Sequence, residues 1–155
     1  MTDSDKKVLS DIDEFGCHVI SVFDPEDQLP PFTYSVGIQE SSGEPEVVVF
    51  GLKNTLAQSV VDNYNRRIRE GECFEPGRRY TDFLEGFEVY FEPVDRKHYK
   101  DHFGYDLWLY GDEEFAVLQL IWPTTSGAWP WEPEASEWFK VNQRLLGRVP
   151  FAVES

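Results

Sequence analysis

The sequence predicts an α+β fold, a mostly antiparallel sheet of five strands, open or barrel-like, with two to three helices. Three observations predict it. Segments with period-two alternation recur along the chain; helical periodicity is interspersed among them without strict alternation; and the early strands are joined by connections too short for parallel crossovers. At 155 residues and 18.0 kDa, the chain suits one domain over residues 1–155, with a core from about 12 to 146 between an acidic N-terminal helix and a C-terminal tail.

Asp3 to Phe15 carries Val8, Leu9, Ile12 and Phe15 at helical intervals, and Gly16 stands where a C-terminal cap belongs. Cys17 to Phe23 is β-branched and aromatic and runs into the turn Asp24-Pro25-Glu26-Asp27, which reads as a first strand. Phe32, Tyr34, Val36 and Ile38 alternate with Thr33, Ser35 and Gly37, a half-buried second strand. A loop over Glu40 to Glu44 then leads to Glu46–Gly51, whose continuous apolar run suits a central strand in a hairpin with the second.

Leu52, Leu56, Val60, Tyr64 and Ile68 fall four apart, Thr55 and Gln58 offer a capping box, and Gly71 follows a basic last turn, which predicts a second helix. Cys73 to Thr81 reads as loop and Phe87–Pro93 as a strand stopped by proline. From Asp95 to Tyr110 the rings and Leu107 recur at near-helical spacing, with Gly104 marking a kink or a break. Phe115–Trp122 is the last strand. Beyond the turn-rich Pro123–Pro133, Trp138, Phe139, Leu145 and Leu146 must pack or leave an exposed patch.

Composition narrows the function classes. A hydrophobic share of 41% with 15% aromatics excludes a disordered chain. The net charge of -15 disfavours nucleic acid and anionic membranes as partners and favours a basic protein. The longest apolar run, Phe115 to Trp122, falls far short of the roughly 20 residues of a membrane helix. The acidic first residues lack the pattern of a secretory signal, so a cytoplasmic location is expected, with Cys17 and Cys73 as thiols.

Read in order, Ile12 to Gly16, Phe32-Thr-Tyr-Ser-Val-Gly-Ile38, Pro45-Glu-Val-Val-Val-Phe-Gly-Leu52, and Gln119-Leu-Ile-Trp-Pro123 with Gly127 and Trp129-Pro-Trp-Glu132 form a pattern. It resembles the bacterial and phage family called domain of unknown function 4262, over most of the span from Ile12 to about Leu146. The resemblance implies a compact α+β fold and brings no catalytic residues. Two departures stand out: Glu44 occupies a position where many members look to have His, and Thr124 one where they look to have an acid.

The chemical candidates are few. His98 and His102 share a helical face with Asp95 or Asp101 nearby, but no zincin glutamate accompanies them, and a solvated face outweighs a metal site. Cys17 and His18 point to opposite sides of a strand, Cys73 has no partner in the sequence, and no glycine-rich phosphate loop exists. No catalytic residue, metal or cofactor is therefore assigned.

Two features remain. The tryptophan stretch Trp122, Trp129 and Trp131, with Gln119 and Glu132 as polar handles and Tyr34, Ser35 and Glu46 on neighbouring strands, reads as core closure or as a ligand or partner surface. The first 50 residues hold nine of the fifteen net negative charges. Asp11, Asp13, Glu14, Asp24, Glu26 and Asp27 are the candidate acidic patch. The expected function is binding and neutralising a basic protein, as an immunity protein or inhibitor does. The alternative is a small-molecule or enzymatic domain with a tryptophan-lined pocket.

Overall fold

The computed structural model describes residues 1–26 and 30–147. Helix α1 (Asp3–Phe15) starts in a capping box between Thr2 and Asp5 and ends at Gly16, whose φ of 92° lets its N–H return to the Ile12 carbonyl. Strands β1 (His18–Val22), β2 (Phe32–Val36) and β3 (Glu46–Phe50) form an antiparallel meander. Its β2–β3 connection holds a short helix, α2 (Ile38–Ser42). The long amphipathic α3 (Asn54–Arg69) follows.

A second meander consists of β4 (Arg79–Leu84), β5 (Phe87–Pro93) and β6 (Val117–Ile121). Between β5 and β6 lie a 3-10 turn (Arg96–His98), α4 (Tyr99–His102) and α5 (Gly104–Tyr110); α6 (Glu137–Asn142) comes last. The meanders join edge to edge through a parallel β3–β6 pair, giving the order β1-β2-β3-β6-β5-β4.

The fold is thus α+β as expected, with corrections. Among the described residues the sheet has six strands, is mixed and does not close into a barrel, because β1 and β4 stay at opposite margins. The sixth strand is β4, which the expected loop overlapped as far as Thr81: it is polar and largely exposed, with only Phe83 buried. Among the described residues there are six α-helices, where two to three were expected. In α2 the expected loop becomes a helix turn; Thr55 and Gln58 form no capping box, since α3 begins at Asn54 without a side-chain cap. The Asp95 to Tyr110 segment breaks at Phe103.

Alternation divides the core between the two faces of the sheet. Val47, Val49, Phe91 and Leu120 meet Val60, Val61 and Tyr64 of α3 on one face. Tyr34, Val48 and Phe50 meet Val8, Tyr99 and Phe103 on the other. A satellite of Ala128, Ala135 and Phe139 packs on Trp122, and Leu146 joins the second core. The tail therefore packs, leaving Trp138 68% exposed. Among the described residues no helix is long and apolar enough to cross a membrane.

Candidate functional site

The ends of β1, β2 and β3 meet at one margin of the sheet, where Val22, Phe32 and Phe50 floor a groove of about 400 Å³. Its walls come from three other places in the chain: Phe23 and Asp24 after β1, Asp101 and His102 on α4, and Arg144 near the C-terminus. A more open hollow of about 500 Å³ shares Val22 and His102 with the groove and adds Tyr34, Tyr105, Trp108 and Asp5. Phe23 is 58% exposed and Trp108 41%, so both present rings that the core does not use.

His102 stands where the two hollows meet. Its ring lies 5.2 Å from Phe32 and 5.8 Å from Phe50 between centroids. Its Nδ1 is 2.8 Å from the His98 carbonyl, which only accepts, so Nδ1 is the donor of this bond. Burial lowers the His98 pKa, assisted by the neighbouring charges of His102, Lys97 and Arg144. The arrangement offers aromatic faces to a cation, with Asp5, Asp24 and Asp101 at the rim. Arg144 is the one lysine or arginine among the described residues lining either hollow.

At the opposite end of the sheet, Glu46 is fully buried and held by five donors. Ser35 Oγ (2.7 Å) and the Ile38 N–H (3.1 Å) reach Oε1, the Gly37 and Gln39 N–H groups reach Oε2 at 3.1 Å, and the Tyr110 hydroxyl completes the set. The carboxylate thereby caps α2, which has no cap of its own, and ties it to α5. Burial raises its pKa, against the pull of these donors. Asp106, also on α5, is buried with neither carboxylate oxygen hydrogen-bonded.

The other expected site residues fall in separate places. Ser35 and Glu46 do come together, in the interior. Tyr34 is 2% exposed, its hydroxyl accepting from the Tyr105 N–H. Gln119 holds the C-terminal segment by donating to the Arg144 carbonyl at 2.7 Å and accepting from the Leu146 N–H at 2.9 Å. Trp122 donates from Nε1 to the Phe50 carbonyl at 2.9 Å and exchanges two further bonds with Gln143. Trp129 and Trp131 stack at 5.5 Å against Tyr90, and Glu132 accepts from the Trp129 N–H. These residues do not converge on one cleft.

The acids divide likewise. Asp13 and Glu14 precede β1 whereas Asp24 and Glu26 follow it, roughly 16 Å away at about 3.3 Å per strand residue. Asp11 is turned inward, bonded to Lys7 Nζ at 2.8 Å and His18 Nδ1 at 2.6 Å. Asp27 lies outside the described residues. Both cysteines are free thiols, Cys17 buried and Cys73 exposed. Among the described residues no group of three or more His, Cys, Asp or Glu side chains could hold a metal ion.

Sequence reasoning set His98 and His102 aside as a solvated face and missed Phe23, Arg144 and Trp108 as site residues. The paired histidine spacing was the available signal. A family model described as a domain of unknown function (DUF4262) matches residues 11–136. No curated protein and no solved structure matches the chain.

Proposed function

We propose a function from the site itself, since the chain belongs to the DUF4262 family, whose description states no activity: it binds a basic segment of another protein, in the manner of an inhibitor or immunity protein. One observation carries the reading, the acid-rimmed aromatic groove and adjoining hollow that meet at His102, with exposed Phe23 in the one and Trp108 in the other. Rings that face solvent beside carboxylates suit lysine and arginine side chains, through ring faces and charge together. The net charge of -15 steers such a partner toward the molecule.

The test is titration of a lysine-rich peptide into the protein, followed by calorimetry. Affinity should fall about tenfold or more from low to high salt, and by a similar factor in Asp101→Lys or Phe23→Ser. Affinity unchanged by salt and by both substitutions overturns the reading.

A further inference from the structure

The two margins of the sheet are built differently. At β4 the pairing register shifts between Tyr80 and Leu84, and Asp82 sits at a φ of 69°, so this edge is bulged and charged. Such features blunt a sheet edge against further pairing. At β1 the ladder with β2 runs unbroken through five pairs, from His18–Val36 to Val22–Phe32. The strand contains no proline, glycine, lysine or arginine, and all five residues are partly exposed. Among the described residues, no hydrogen bond from outside the sheet reaches its backbone.

Acids flank that open edge. On the α1 side, His18 and Ile20 border a hollow with Asp3, Lys7 and Tyr105. On the α3 side, Val19 borders another with Asp62, Gln58 and Asn65. Beyond Val22 the edge runs into the His102 groove. An added strand would send alternate side chains to the two faces, so that each set meets a hollow containing carboxylates.

We infer that β1 is a docking edge where an extended, lysine- or arginine-bearing segment of a basic protein adds as a seventh strand. The inference rests on the basic-partner reading and adds the mode of binding. Charge selects this occupant over a second copy of the chain, which would bring another fifteen net negative charges to an edge already lined with acids.

The probe is an octapeptide alternating lysine and valine, titrated into the full chain at low salt and followed by amide NMR, beside the same peptide N-methylated on alternate residues. Methylation removes backbone donors and preserves charge. Amide signals of residues 18–22 should shift, their hydrogen exchange should slow, and methylation should weaken binding by about tenfold or more. Equal affinity for the two peptides overturns the inference, as do shifts confined to the His102 groove; in both cases the basic-partner reading survives. Failure of both peptides to bind overturns the inference and that reading together. Dimerisation of the free protein with protected β1 amides assigns the edge to a second copy and overturns the inference alone.

Discussion

Asp106 and Glu46 are two buried carboxyls, one with five hydrogen-bond donors around it and the other with none. Both lie close enough to α5 that the charge of Glu46 acts on Asp106. Buried with neither carboxylate oxygen hydrogen-bonded, Asp106 is a cost of the fold. Burial drives its pKa well above the ordinary carboxylate range, and the charge of Glu46 adds to that.

A carboxyl whose native pKa is raised binds its proton more tightly in the folded chain. Its contribution is therefore fully favourable below the unfolded value and is lost as pH rises toward the native one. Asp106→Leu removes the titration and keeps the branched outline of the side chain with apolar atoms. At pH 8 the variant should be more stable than the parent by about 1–3 kcal/mol, or about 3–10 °C in Tm. At pH 4 the gain should shrink toward zero. Thermal melts across that range check it, and a gain independent of pH would count against an ionising Asp106.

Gly37 N-caps α2 at a φ of 103° while donating its N–H to Glu46. A β-carbon there would lie 2.6 Å from Cγ1 of Ile12, on the inward face of α1. Gly37→Ala thus combines a left-handed backbone with a collision between α1 and the Glu46 cradle. A loss of about 2–4 kcal/mol is expected, read as a lower denaturant midpoint with unchanged slope.

Much of this architecture was legible in the sequence, and the exceptions have physical causes. Val8 and Ile12 mark α1, the alternation from Phe32 marks β2, and Val60 with Tyr64 marks α3, because each element buries one periodic face. Strand β4 escaped because Arg79, Thr81 and Asp82 stay exposed at a sheet margin. Helix α2 escaped because its cap is a carboxylate several residues downstream. The parallel β3–β6 pair joins segments separated by α3, two strands and the α4–α5 segment, which local pattern does not report. The tryptophans drew attention by composition, yet the groove is assembled from Phe23, Phe32, Phe50 and His102, four segments with no shared motif.

Asp11 shows the opposite balance to Asp106. Burial pushes its carboxyl up, but Lys7 and His18 outweigh burial and hold it below its usual range. A depressed carboxylate stabilises above its unfolded pKa, and that stability is lost as pH falls through the native value. Asp11→Asn should lower Tm by about 2–4 °C near neutral pH, corresponding to about 1 kcal/mol. The difference from the parent should vanish under strongly acid conditions; a difference that persists there would exclude the ion pair as its cause.

The two thiols should separate by reactivity. Burial raises the Cys17 pKa far above its ordinary value, with the charge of Glu46 next in effect, and the residue is 5% exposed. Cys73 is exposed, but its hydrogen bond to Glu44 at 3.2 Å and the charge of that carboxylate also raise its pKa. A disulfide-exchange reagent at pH 8 should therefore modify Cys73 slowly and leave Cys17 untouched until the chain unfolds. Glu44→Gln removes the charge and should speed Cys73 by several-fold, since more of the thiol is ionised at the same pH. Mass spectrometry of the labelled protein reads both sites at once. Rapid labelling of Cys17 in the folded chain would mean that the core between α3 and the sheet opens far more readily than its packing implies, and an unchanged Cys73 rate would remove Glu44 as the group that restrains it.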